Sequence, residues 1–164
     1  MTLCRIILFL SALCGGMALA NGAEAACPFL SFCTCTASAT GVSFGNYDPL
    51  SPIPKDAAGT VTVNCTFAEL GSGTYDISLS PGMTGTYATR KLTRAQSSID
   101  YNLYTTAART QVWGNGTGGT QRVVGTLSGL LSNQQTFSIH GRVPPGQNVP
   151  DGAYTDVIVV TVAY

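Results

Sequence analysis

Residues 59–67 read GTVTVNCTF, and this stretch decides the fold class. From Val61 onward every second residue is apolar, and threonines and an asparagine fill the positions between. A repeat of two is the side-chain period of a β-strand, so one face of this strand should lie against a core and the other should face water. The stretch therefore predicts a half-buried strand of an antiparallel sheet.

Alternating stretches of the same kind lie on both sides of this strand, and turn-forming residues separate them. Further strands are predicted at 39–47, 73–80, 98–105, 121–127, 137–143 and 153–164. Beyond the N-terminus no apolar repeat of three and four indicates a helix, and no linker or internal repeat divides the chain. We therefore expect one all-β domain, built as an antiparallel sandwich.

The last predicted strand is unusual because residues 156–164, DVIVVTVAY, carry one charge and no Pro or Gly. Both faces of this stretch are apolar beyond Asp156, whereas natural edge strands are usually blunted by charge or by proline. One face of the strand carries Tyr154, Ile158, Val160, Val162 and Tyr164. The sequence thus indicates an apolar edge that needs a partner.

The N-terminus has the pattern of a secretory signal peptide over residues 1–25. Arg5 supplies the positive charge, residues 6–13 supply the apolar run, and small residues precede a predicted cleavage after Ala25, with cleavage after Ala20 as the alternative. The apolar run is too short for a membrane span, and no later stretch reaches about 20 apolar residues. We expect an exported protein without a membrane span.

Composition argues against nucleic-acid binding and against catalysis. Only 10% of residues are charged, and eight basic residues balance eight acidic ones, so no basic patch suggests nucleic acid. The chain has one histidine, His140, and no G-x-S-x-G elbow accompanies any serine. Its cysteines lack a C-x-x-C pair, and the glycine-rich stretch 114–120 reads as a β-turn. We predict no catalytic residue, no metal site and no cofactor.

Four cysteines follow the predicted signal: Cys27, Cys33, Cys35 and Cys65. An even number in an exported protein favours disulfides, and three pairings are possible. Along one strand Cys33 and Cys35 would be about 6.6 Å apart, close to the limit for a bridge. We favour Cys35 with Cys65, and Cys27 with Cys33 as a small N-terminal loop.

Trp113 stands beside the glycine-rich turn and allows two interpretations. A tryptophan next to glycines can stack on a sugar, and it can also close the end of a sandwich core. The sequence leaves both open.

Six segments together resemble one family in their order and spacing. They are CTASATGVSFGNYDP (35–49), GTVTVNCT (59–66), YDISLSPG (75–82), YNLYTTAARTQVWGNGTGGT (101–120), HGRVPPGQ (140–147) and DGAYTDVIVVTVAY (151–164). This combination is similar to the spore coat protein U domain, which is shared with pilins of archaic, Csu-type chaperone-usher fimbriae. The resemblance covers nearly all of residues 35–164 and is specific because the motifs occur together.

The resemblance implies an incomplete immunoglobulin-like sandwich that lacks its final strand, with a groove between its first and last strands. A periplasmic chaperone would fill this groove first, and a donor strand from a neighbouring pilin subunit would replace it after passage through an outer-membrane usher. It also implies a Cys35–Cys65 disulfide and a groove lined by the last strand. The expected function is a structural subunit of a surface fimbria, exported through the periplasm, with a role in adhesion or biofilm formation.

The N-terminal segment 26–34 departs from this pattern because it is short for a donor strand. Phe29, Leu30 and Phe32 are the candidate donor residues, and a Cys27–Cys33 bridge would bend the segment. A short donor suits a subunit at a fibre tip, where it could act as a carbohydrate-binding or surface-binding module. A coat protein that polymerises without an usher is the other alternative.

Overall fold

The protein is described here by a computed structural model that covers residues 3–12, 24–26, 33–67, 71–129 and 132–163. No helix occurs in these ranges. The strands are β1 (Leu3–Ala12), β2 (Glu24–Ala26), β3 (Cys33–Thr40), β4 (Lys55–Phe67), β5 (Gly71–Leu79), β6 (Arg90–Arg94), β7 (Ser97–Tyr104), β8 (Val123–Gly129), β9 (Ser132–Val143) and β10 (Tyr154–Ala163). The predicted all-β fold is confirmed.

All of these strands pair antiparallel along one continuous path. The order is β2-β3-β4-β9-β7-β6-β10-β5-β8. β1 lies outside this order and pairs with β10. β7 belongs to two layers, because its first residues pair with β6 and its last three pair with β9. The path thereby turns back on itself and forms the two layers of a sandwich.

The core lies between these layers and is built from the alternating face of each strand. Val61 and Val63 of β4 are almost completely buried, as the period-two pattern predicts. Tyr75 on β5 packs edge-on against Phe137 on β9, with ring centroids 6.2 Å apart, so the two layers meet through aromatic side chains. The Tyr75 hydroxyl also donates a 2.9 Å hydrogen bond to Oε1 of Gln135.

The predicted strand at 39–47 is wrong for most of its length, because β3 ends at Thr40. The following residues form no ladder, although Val42 and Phe44 are buried in the core. Glycines explain this path: a Cβ on Gly59 would lie 2.6 Å from the Thr40 carbonyl oxygen, and one on Gly141 would lie 2.8 Å from Phe44. The segment therefore crosses close over the neighbouring strands instead of pairing with them.

β1 and β2 were not predicted as strands, and within the domain two further elements differ from the sequence prediction. β6 was missed because its residues, RKLTR, are mostly charged or polar and its turn to β7 uses Ala95 at φ 50°, where glycine or asparagine would be the recognisable signal. β9 begins at Ser132, five residues before the predicted start, because its first half is exposed and polar at alternate positions. Neither β6 nor the first five residues of β9 carry the apolar alternation on which the prediction depended.

Candidate functional site

The last strand, β10, carries a continuous row of buried side chains on one face. These are Tyr154, Asp156, Ile158, Val160 and Val162, none of them more than 2% exposed. The intervening side chains from Val157 onward are half-buried. Tyr164, the fifth residue predicted for this face, lies outside the described residues.

One edge of β10 is shared by two strands of its own layer. Thr155 pairs with Thr93 of β6, and the last four residues of β10 pair with β5, from Val160 opposite Leu79 to Ala163 opposite Asp76. Between these contacts the Ser80 amide donates to the Val159 carbonyl at 2.9 Å. This edge is therefore satisfied along most of its length by the domain itself.

The other edge of β10 is paired with β1 over the whole strand. Ten antiparallel register pairs run from Leu3 opposite Ala163 to Ala12 opposite Tyr154. Cα atoms of β1 also approach those of β3 to within 8 Å, so β1 lies between the first strand that follows the predicted signal and the last strand of the chain. The position that the sequence analysis expected to be a groove is thus a strand position, and residues 3–12 occupy it.

The register pairs apolar residues of β1 with the buried residues of β10. Ile6 stands opposite Val160, and Leu8 stands opposite Ile158. Directly opposite residues of an antiparallel pair share a face of the sheet. The strand position beside β10 therefore suits a segment with an aliphatic residue at every second place.

Asp156 is the one charged residue in the buried row, and it ties β10 to the connection after β5. Its carboxylate accepts hydrogen bonds from the Tyr101 hydroxyl at 2.7 Å and from the Met83 amide at 2.9 Å. A Cβ on Gly82 would lie 2.1 Å from Asp156 Oδ2, so glycine, at φ +90°, is required for this approach. Burial, together with the neighbouring Asp156 carboxylate, raises the pKa of Tyr101, which keeps its hydroxyl protonated as a donor.

Arg90 lies behind this row and is fully buried. Its guanidinium donates to the Ser80 carbonyl from Nε at 3.0 Å and from Nη2 at 2.9 Å, and to the Trp113 carbonyl from Nη2 at 2.7 Å. Nη1 donates to Oδ1 of Asn102, and burial lowers the Arg90 pKa. No signal in the sequence marks this residue, because an arginine between threonine and lysine looks like a surface residue.

The stacking role considered for Trp113 is wrong, because its side chain is 0% exposed. The indole Nε1–H donates a 2.9 Å hydrogen bond to the Ile77 carbonyl, so the ring and its polar atom are both used within the core. A ring without exposed surface cannot stack on a sugar. Of the two interpretations, the structure supports the core residue.

The predicted disulfide between Cys35 and Cys65 is present and joins β3 to β4. The two residues stand directly opposite each other in the ladder, with their Cα atoms 4.0 Å apart. Cys27 and the candidate donor residues Phe29, Leu30 and Phe32 lie outside the described residues, and nothing is described of the Cys33 side chain. The short strand β2, which precedes Cys27 in the chain, pairs with β3, from Glu24 opposite Thr36 to Ala26 opposite Thr34.

Within the described ranges no group of three or more His, Cys, Asp or Glu side chains could hold a metal ion. The same ranges contain no helix long and apolar enough to cross a bilayer. What β10 offers to a partner is a strand edge with ten backbone positions and a buried aliphatic row. Such an edge binds an extended chain through main-chain hydrogen bonds and reads its alternate side chains.

A known family and a known protein match this chain in sequence. A family model of the Spore Coat Protein U domain matches residues 28–161. Protein U of Myxococcus xanthus is 33% identical over 135 residues, which cover 75% of this chain and 71% of that protein.

A solved structure shares the fold. It is the CsuC-CsuE chaperone-tip adhesion subunit pre-assembly complex from the archaic chaperone-usher Csu pili of Acinetobacter baumannii, with a TM-score of 0.53 and 16% identity. The match covers 80% of this chain and 40% of the other. At that identity the likeness concerns the fold.

Proposed function

This chain belongs to the Spore Coat Protein U domain family, and from that premise we propose that it is a structural subunit of a bacterial surface fimbria, assembled by the chaperone-usher pathway through donor-strand complementation. The fold that it shares with a chaperone-bound pilus subunit supports the proposal. The proposed partners are a periplasmic chaperone, an outer-membrane usher and neighbouring pilin subunits. The role is structural and serves adhesion or biofilm formation at the cell surface.

The observation that carries the proposal is the pairing of β10 with β1. Residues 3–12 lie inside the predicted signal peptide, 1–25, so cleavage after Ala25 or Ala20 would remove the strand that occupies this edge. The domain from residue 35 to 164 would then keep an unpaired ten-residue edge beside its aliphatic row. An apolar edge of this length is unstable in water and prone to aggregation.

A strand from another protein removes this instability in the same way as β1. It would supply backbone donors and acceptors to β10 and aliphatic side chains to the positions opposite Ile158 and Val160. In the periplasm the chaperone supplies that strand, and in the fibre a neighbouring subunit does. Tyr164 belongs to the same proposed groove as the last residue of its row.

The N-terminal segment 26–34 is the proposed donor of this subunit, with Phe29, Leu30 and Phe32 as its apolar residues. The Cys27–Cys33 bridge remains a proposal beside it. If the bridge forms, the segment is bent and the subunit accepts a strand without giving one. Peptide mapping of the non-reduced mature protein distinguishes these two forms.

The test is to express the chain with its signal peptide, so that residues 26–164 reach the periplasm, with and without the chaperone encoded beside the gene. We expect soluble protein only as a chaperone complex, and degraded or aggregated protein in its absence, because the β10 edge is then open. An abundant, soluble monomer that unfolds in a two-state transition without any partner would contradict the proposal.

The family description also favours a second function, that of a coat protein which polymerises on a cell or spore surface without an usher. The same strand edge would serve this assembly, so the structure of the edge does not separate the two functions. Deletion of the usher gene does: the fimbrial subunit would then fail to reach the surface, and the coat protein would still assemble.

A further inference from the structure

An open cavity of about 420 Å³ lies at the end of the sandwich where β10 begins. Its walls are mainly apolar and include Tyr47, Pro49, Ile99, Val149 and Tyr154. Tyr154 is also the first residue of the buried row on β10. The cavity therefore adjoins the Tyr154 end of the β10 edge that pairs with β1.

The loop at residues 48–54 stands at the rim of this cavity and exposes two large aliphatic side chains. Leu50 is 90% exposed and Ile53 is 71% exposed, and Pro49 of the same loop lines the cavity. Elsewhere in the described ranges only two other large apolar side chains are comparably exposed, one each in separate segments. Two exposed aliphatic residues within four positions are unusual for a surface that stays in water.

The same loop is held in one conformation by its own hydrogen bonds. The Leu50 amide donates to Asp48 Oδ1 at 2.9 Å, and the Ile53 amide donates to Ser51 Oγ at 3.2 Å. Prolines at 49, 52 and 54 restrict the backbone further. The two side chains are therefore presented by a preorganised loop, which lowers the entropic cost of binding.

The direction of β1 along β10 indicates at which end of β10 a donor strand would leave the domain. The strand seen on β10 runs antiparallel to it and ends with Ala12 opposite Tyr154. A donor that pairs in the same direction must therefore leave β10 at Tyr154 and continue past the cavity. A folded body that follows such a donor in its chain would lie at this end of the sandwich.

We propose that the cavity and the loop 48–54 form a second contact surface, which binds the folded body of the neighbouring subunit whose N-terminal segment fills the β10 edge. The inference rests on the proposed function. For a second copy of this chain, residues 26–32 precede β3, which leaves seven residues for the ten positions of β10, so no linker would separate the two bodies. Docking would cover Leu50 and Ile53 and extend the interface beyond the donor strand.

The experiment uses fibres assembled in cells that contain the chaperone, the usher and the neighbouring pilins. A benzophenone amino acid replaces Ile53, and in a control it replaces Val124 of β8, which is 57% exposed and lies outside the loop and the cavity lining. We expect a pilin–pilin adduct from position 53 that maps to the folded body of the neighbour, and much less from position 124. In parallel, fibres of the Leu50→Ser/Ile53→Ser variant should dissociate in heated detergent at least about tenfold faster than fibres of Val124→Ser, because the two aliphatic side chains that docking covers are lost.

Three outcomes would overturn the inference. Adducts from position 53 that map only to the donor segment would do so, and so would double-variant fibres as resistant as those of the control. The third is a double variant that assembles normally but loses attachment to an apolar surface, because the loop would then be adhesive. If the wild type forms neither a chaperone complex nor fibres, the proposed function itself fails, and this result is distinct from the other three.

Discussion

A fused donor strand should stabilise the mature domain, and the size of the effect should depend on which face of that strand is apolar. The perturbation joins the ten residues of β1 to the C-terminus of residues 26–164 through a short glycine-serine turn. Such a fusion is possible because Leu3 stands opposite Ala163 and the two strands are antiparallel, so a hairpin can connect them.

The expected magnitude comes from comparing two variants of the fused strand. In the first, Ile6→Ser and Leu8→Ser remove the side chains opposite Val160 and Ile158, which are both 0% exposed. In the second, Ile7→Ser and Phe9→Ser remove side chains opposite half-buried residues. The free energies of backbone pairing and of chain ordering are the same in both variants, so they cancel when the stabilities of the two variants are compared.

Burial of an aliphatic side chain contributes about 1.5 to 3 kcal/mol. We therefore expect the first variant to be about 2 to 4 kcal/mol less stable than the second, which receives only partial burial at its substituted positions. For a domain of this size that difference corresponds to a shift in Tm of about 10 °C.

The assay is thermal unfolding followed by circular dichroism, with the unsubstituted fusion as reference. We expect the reference to melt highest and the Ile6→Ser/Leu8→Ser form lowest. If the two variants melt within about 2 °C of each other, or in the reverse order, the register between β1 and β10 does not describe how a donor binds.

Three further predictions concern the framework around the site, and each is measured in the donor-fused protein. Replacing Cys35 and Cys65 by alanine should lower the free energy of unfolding by roughly 3 to 4 kcal/mol in urea, because the bridge restricts the unfolded chain; an unchanged midpoint would contradict this. Arg90→Met should cost about 3 to 5 kcal/mol in the same assay, because the Ser80 and Trp113 carbonyls lose their buried donors, and a cost below about 1 kcal/mol would refute it. The third prediction is acid sensitivity. The Arg142 hydrogen bond holds the pKa of Asp56 below its usual 3.8, so the ion pair stabilises the fold above about pH 4 and is lost as the pH falls through the lowered pKa. Asp56→Asn should remove this part of the acid dependence, by no more than about 1 kcal/mol because the pair is exposed, and a variant with the wild-type acid profile would show that Asp56 does not contribute.

The sequence alone was enough to predict the fold class and to identify β10 as an apolar strand that needs a partner. The valines of β4 are buried as their alternation indicates, and the aliphatic residues of β10 that share a face are buried together, because a side-chain period of two is a local property of an extended chain. The Cys35–Cys65 pairing was also predicted, since a Cys33–Cys35 bridge along one strand would be close to its distance limit and the family resemblance implies the bridge between Cys35 and Cys65. The family resemblance depended on motifs that are visible in the printed sequence.

Tertiary structure decided the features for which no local pattern exists. Arg90 is buried because carbonyls from distant segments converge on it, and Trp113 is buried because the two layers close over it. The crossing of residues 41–47 depends on glycines in other strands. The partner of β10 could not be predicted from β10 itself, because strand pairing is a contact between segments far apart in the chain. The sequence determined that an apolar edge exists. Only the fold decided that residues 3–12 lie along this edge and in which direction they run.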